Sequence, residues 1–333
     1  MGNIMEHLTL LLVVVIALVL LAEFVNGLTD APNAIATVVA TGVLSPKVAI
    51  ILAVVGNIAG TFAGTAVAAT IGKGIVSASV VDLPLIAGAM LSVVGWGFTA
   101  AHLGIPVSKS HALIAGLAGA GLAAGGFAAL EWSGWEKVIK GLLISTFAGF
   151  ALAFVLGKSV QIFAARMQAK HARKIFDRLQ IVSAVFMAFN HGMNDGQKFV
   201  GIFTLALMQA AILTSFHVTW QVVLICALTM GLGTAFGGWK IMRTLGQKMV
   251  HIESWQGFAA EAGASSMIFI ASQYGIPLST THTITTAITG SAASLNAKRV
   301  NWGVVRNIAI AWIITFPVCT LIAFLVCSVI RLF

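Results

Sequence analysis

The sequence predicts an all-α polytopic membrane protein built from two inverted-topology repeats with broken helices. Three observations predict it. Hydrophobic residues make up 59% of the chain and charged residues only 9%, with a mean hydropathy of +1.00, whereas a soluble domain carries about 25% charged residues. Apolar runs reach the length of about 20 residues that a helix needs to cross hydrocarbon. Two motifs each occur twice, in the same order and at nearly the same offset, as expected when a unit of half the chain has been copied.

Taken in order, residues 8–22 are apolar, follow Glu6 and His7 rather than Lys or Arg, and lack a small-residue cleavage site, so they are expected to be a retained helix and not a signal peptide. The run continues to residue 43 with an interruption at NGLTDAPN. Residues 48–70 and 138–163 read as full spans, and between them residues 83–127 are broken at GIPVSKSH. The second half repeats the plan: 181–213 broken at NHGMNDGQK, 218–238 as a full span, 258–293 broken at GIPLSTTH, and 304–330 as the last span. The expected units are residues 1–164, a basic linker at 165–180 and residues 181–333.

The linker carries Arg166, Lys170, Arg173, Lys174 and Arg178 against Asp177 and reads as a solvated cytoplasmic loop, because positive residues stay inside. With Lys47 and Lys158 inside and Glu131 and Glu136 outside, both termini fall outside. Whether each stretch around a Gly-Ile-Pro phrase is a pair of spans or a re-entrant hairpin is not decided by sequence. The net charge of +9 sits in short loops, not on one face, so nucleic acid is not an expected partner. Trp132, Trp135, Trp220, Trp239, Trp255 and Trp302 lie near segment ends, as an interfacial belt requires. Cys226, Cys319 and Cys327 are unpaired in sequence and sit in apolar runs, and Gly116, Gly119, Gly121, Gly125 and Gly126 fit helix packing better than a nucleotide loop, since no strand precedes them.

The repeated phrases carry the chemistry. FVNGLTDAPNA contains Asp30 and FNHGMNDGQKF contains Asp195, while the two Gly-Ile-Pro phrases end in His111 and His282; each pair is separated by about half the chain. Broken helices at membrane depth expose backbone N–H groups and the positive end of the helix dipole, and repeats bring two such breaks together. Pro106 and Pro277 are each expected at a helix start. Ser108, Lys109 and Ser110 in one copy, and Ser279, Thr280 and Thr281 in the other, would then present donors to a small tetrahedral oxyanion. A carboxylate 4 Å from such an anion repels it by roughly 4 kcal/mol at an effective dielectric near 20. Asp30 and Asp195 therefore call for an accompanying cation or proton. Glu261, whose place in the first copy is taken by Met90, reads equally as a proton relay and as a satisfied structural acid. His111 and His282 read as packing residues.

At these residues the chain resembles the inorganic phosphate transporter (Pit) family, short bacterial form, along essentially its whole length. The matching motifs are Gly27 to Asn33, Gly192 to Lys198, Ser108 to Ser110 and Ser279 to Thr281. The resemblance implies an inverted-repeat bundle with re-entrant hairpins, a homodimer in the cytoplasmic membrane, and phosphate import by symport with H⁺ or Na⁺, with no other cofactor. It implies phosphate contacts at Ser108, Ser110, Ser279, Thr280 and Thr281 and matches Asn33 and Asn194 to polar signature positions expected to join them; Lys109, between the two serines, is a further expected contact of this chain's own. Asp30 and Asp195, with Lys198 and Glu261, are the expected cation- or proton-coupling residues, and Asp30 and Asp195 are the expected metal ligands if Na⁺ is the coupling ion. Lys109 and Lys198 depart from the other copy, which has Thr280 and Asn33. An ammonium can stand in a cation's place, which favours H⁺ and is compatible with phosphate carried as a neutral metal complex. A sulfate permease of the same fold is the nearest alternative, and a passive anion channel is an alternative of a different class. An intramembrane enzyme is not expected, since no nucleophile-base set or HExxH spacing is present.

Overall fold

The computed structural model describes residues 2–332; residues 1 and 333, the outer ends of the two expected units, lie outside it. The described chain is almost wholly helical. In the first half come α1 (Gly2–Ala40), α2 (Pro46–Thr61), α3 (Ala66–Gly74), α4 (Leu83–Leu103), α5 (Lys109–Gly125) and α6 (Trp132–Ala164). The second half contains α7 (Ala169–His191), α8 (Gln197–Gln209), α9 (Trp220–Phe236), α10 (Trp239–Arg243), α11 (Ser254–Gln273), α12 (Thr280–Asn296) and α13 (Trp302–Ile330). Among the described residues five helices are long and apolar enough to cross a membrane, and seven spans result if each bent pair counts as one.

The packing is the reverse of a soluble protein's. Large apolar side chains such as Leu10, Phe147, Val155 and Ile313 face outward, while Asp30, Asp195, Lys109, Lys198, Glu23 and Glu261 are buried. Lipid is a good solvent for the first set and a poor one for the second.

Four expectations are corrected. NGLTDAPN does not break α1, which stays helical from Gly2 to Ala40 with Pro32 inside it. Proline removes the N–H that would have bonded the carbonyl four residues back, and that carbonyl, on Leu28, instead accepts from Gly238 N at 3.1 Å. An irregular residue of one half thus satisfies the backbone of the other. NHGMNDGQK also stays helical, passing through a wide π-type turn at Gly192–Gly196 between α7 and α8, a form common at functional sites. Residues 48–70 and 218–238 are not straight spans: Pro46–Thr61 and Ala66–Gly72 meet at 71°, and Trp220–Phe236 and Trp239–Lys248 at 63°. The first bend is held by Gln197 of α8, whose side-chain oxygen accepts from Val67 N at 3.3 Å. Finally, most of the linker is not a loop. From Ala169 it forms the first turns of α7, with Ala172, Phe176 and Gln180 buried and the basic residues on the outer side.

Matched positions of the two halves meet matched partners. A Cβ on Gly27 would strike the carbonyl of Met230 in α9, and one on Gly192 would strike that of Asn57 in α2. Close backbone approach of this kind is what small residues provide in membrane helices.

Candidate functional site

The two Gly-Ile-Pro phrases fold alike. Gly104 ends α4 and Gly275 follows α11, both left-handed (φ 69° and 64°), a conformation that glycine adopts without strain. Ile105 N then donates to Ala100 O at 3.0 Å and Ile276 N to Ala271 O at 2.9 Å, closing each helix end. The prolines do not start the next helices, as the sequence suggested. Instead Ser108 and Ser279 are the caps: their Oγ atoms accept from His111 N (3.2 Å) and His282 N (3.1 Å), satisfying N–H groups that a helix start leaves free. The two tips meet each other in the interior, where Ser279 Oγ donates to Ser108 Oγ at 2.9 Å. This is the geometry of hairpins that enter and turn back. His111 and His282 pack edge to face at 4.3 Å, with His282 stacked on Trp312 at 3.6 Å, so both are packing residues.

Around the tips stand the two aspartates. Asp30, on α1, accepts at Oδ2 from Thr281 Oγ1 (3.0 Å) and from Lys109 N (3.3 Å), and at Oδ1 from Thr29 Oγ1 (2.8 Å). Lys109 Nζ lies 3.5 Å from its Oδ1. Asn33, one turn on, donates to Thr281 Oγ1 at 3.0 Å. Asp195, in the π-type turn, accepts at Oδ1 from Lys198 Nζ (2.5 Å) and at Oδ2 from Thr280 Oγ1 (2.8 Å), with His191 Nε2 3.4 Å away. Lys198 Nζ also donates to Ser110 Oγ (2.5 Å) and Leu278 O (2.8 Å). Both lysines are 1% exposed.

The pattern obeys the repeat even where the residues differ. Thr280 reaches the aspartate of its own half by a hydroxyl, and Lys109, its counterpart, reaches Asp30 by an ammonium. Asn33 bonds the tip of the opposite hairpin, and so does Lys198. The positions are shared, and two positive charges have been added.

The structure therefore gathers Asp30, Asn33, Ser108, Lys109, Ser110, Asp195, Lys198, Ser279, Thr280 and Thr281 into one buried cluster. It does not bring in two other expected residues. Asn194 points to the base of the second hairpin, donating to Ser272 Oγ (2.8 Å) and Ile276 O (3.4 Å). Glu261 accepts from the hydroxyls of Thr37 and Ser183, tying α11 to α1 and α7. The void at the tips, beside Ser110 and Ser279, is about 10 Å³, about the size needed for one water.

Sequence reasoning missed a polar stripe on α1. Glu23, Asn26, Asp30, Asn33 and Thr37 recur every three or four residues and are all buried. That spacing was available as a signal, because it puts polar groups on one face of a helix in an apolar run.

Paired interior hairpins over buried ion pairs, in an all-helical membrane bundle with broken elements, define a secondary transporter. A sequence profile described as the phosphate transporter family matches residues 26–323, and the chain belongs to that family. It is 41% identical over 318 residues to a protein of Bacillus subtilis, covering 94% of this chain and 95% of that one. It is 43% identical over 315 residues to one of Rhizobium meliloti, covering 94% of each. Both relatives bear the name probable low-affinity inorganic phosphate transporter. Among solved structures, one titled the sodium-dependent phosphate transporter superposes with a TM-score of 0.85 over 97% of this chain and 99% of its own, at 22% identity. At that identity the likeness describes the fold.

Proposed function

We propose that this protein imports inorganic phosphate across the cytoplasmic membrane in symport with protons. The observation that carries the reading is that each intramembrane aspartate already faces a lysine, Lys109 at 3.5 Å from Asp30 and Lys198 at 2.5 Å from Asp195. The four charges cancel, so the place of two coupling cations is filled by the chain itself. Phosphate arriving as an anion unbalances this sum, and a proton restores it.

In this reading phosphate parts the tips and replaces the hydroxyl contacts they make with each other. Ser108, Ser110, Ser279, Thr280 and Thr281 turn to the oxyanion, joined by Asn33 and the two ammonium groups. Asp30, Asp195 and Lys198 adjust protonation or pairing as the charge enters. Sulfate has the same shape but brings no proton of its own, so carboxylate acceptors at the tips favour phosphate over it. The two halves run in inverted topology with residues 165–180 at the cytoplasmic side, and one half rocks against the other.

Uptake of labelled phosphate into proteoliposomes tests this. An inside-alkaline gradient of one pH unit should drive accumulation by about tenfold per proton carried, and a sodium gradient at constant pH should add nothing. Stimulation by sodium with no response to pH would overturn proton symport. Downhill flux without accumulation would point to a channel.

A further inference from the structure

The stripe on α1 holds a carboxyl that the tip cluster does not use. Glu23 lies seven residues before Asp30, two turns and about 10 Å along the axis, on the same face. It is 0% exposed. Its Oε2 accepts from Asn26 Nδ2 at 3.0 Å, while its Oε1 and Asn26 Oδ1 meet no protein donor. Three charged groups act on it across space: Asp195 in the π-type turn, Lys198 on α8 and Asp30 on its own helix; from α9 the thiol of Cys226 faces it. Among the described residues no cation lies within ion-pair distance of it. A buried carboxylate without a partner costs several kcal/mol, so this environment suits the neutral acid.

Glu23 also breaks the repeat. In the register that matches Asp30 with Asp195, its place in the second half is taken by Ala188, so one half alone carries the group. Seven residues beyond Asp30 the same stripe reaches Thr37, which is bonded to Glu261. An acid therefore stands on either side of the tip cluster along one line of α1.

The geometry points to Glu23 as the group that takes up and releases the co-transported proton. The step involves one bond: an O–H forms at Glu23 Oε1 with a proton delivered from water on the loading side, and the same bond breaks to water on the releasing side after the tips have parted. No other reactant is consumed. While Lys198 is engaged by phosphate, the protonated acid keeps the region around Asp195 from carrying a second uncompensated negative charge. With phosphate gone and the tips still parted, water on the releasing side reaches Oε1 and takes the proton; as the tips close again and Lys198 returns to Asp195, the buried site favours the neutral acid once more. This inference rests on the proton-symport reading.

Two assays on the same proteoliposomes separate the two claims. Accumulation driven by a pH gradient needs a proton carried per cycle, whereas exchange of labelled for unlabelled phosphate at equal concentrations needs none released. Glu23→Gln keeps the shape and the Asn26 contact and cannot titrate. It should lose accumulation, about tenfold for one unit of gradient, and keep exchange at the wild-type rate, and Glu23→Asp should restore accumulation. Accumulation unchanged in Glu23→Gln overturns the assignment. So does loss of exchange along with accumulation, which would make Glu23 a binding or folding residue. A wild-type protein indifferent to the pH gradient overturns the symport reading itself, before any variant is compared.

Discussion

At the scale of single residues, two lysines make the halves chemically unequal. Lys109 and Lys198 occupy the places of Thr280 and Asn33 and are fully buried beside Asp30 and Asp195. Removing one partner of a buried ion pair costs about 3–5 kcal/mol because the other charge is stranded. The double variant Lys109→Thr with Lys198→Asn copies the opposite half at both positions and strands both carboxylates. It should recruit a cation from solution: phosphate uptake and the melting temperature should both rise with added sodium and not with choline. A variant whose uptake ignores sodium would show that the lysines do not stand in for coupling ions.

The elements explain how such charges can be held rigidly inside a membrane. Breaks in one half are repaired by the other: Leu28 O, freed by Pro32, takes Gly238 N, and Gln197 completes the start of α3. Terminal helices pack on the opposite hairpin in the same way, with Gly119 of α5 against the carbonyl of Thr320 in α13 and Gly290 of α12 against that of Phe150 in α6. The tips are the exception, since they meet through two hydroxyl hydrogen bonds, Ser279 Oγ to Ser108 Oγ and Ser110 Oγ to Leu278 O, both 2.9 Å, beside a void of about 10 Å³. Hydroxyls 2.9 Å apart bring their Cβ atoms near the separation a disulfide spans. Ser108→Cys with Ser279→Cys, made in a background with Cys226, Cys319 and Cys327 replaced by alanine, should cross-link on oxidation. Exchange should stop when the bond forms and return on reduction, and phosphate should slow the cross-linking by holding the tips apart. Exchange that continues in the cross-linked protein would show that the tips need not separate.

For the whole molecule, the charge distribution sets the expected orientation. Outer faces are apolar, and the basic residues of 165–180 project from the end of the bundle where α7 begins. Single cysteines at Arg166 and at Lys298 should react with a membrane-impermeant maleimide only from the cytoplasmic side, and one at Glu131 only from outside. Labelling of all three from one side would remove the inverted arrangement. The same placement puts Glu23 and Glu261 at different depths, so water would reach them from different faces as the hairpins open.

The sequence by itself determined the class, the repeated motifs, the places of the hairpins and most of the residues that gather at the tips, because composition, run length and recurring phrases are local properties. It misjudged α1, the bent pairs and the linker because whether an irregular stretch breaks a helix depends on what satisfies its backbone groups. For the carbonyl that Pro32 frees, that partner is Gly238, in the other half of the chain. Only the tertiary structure paired each lysine with an aspartate, set Asn194 and Glu261 apart from the tips, and aligned Glu23 with Asp30, since burial and charge pairing are decided by which faces of distant helices meet.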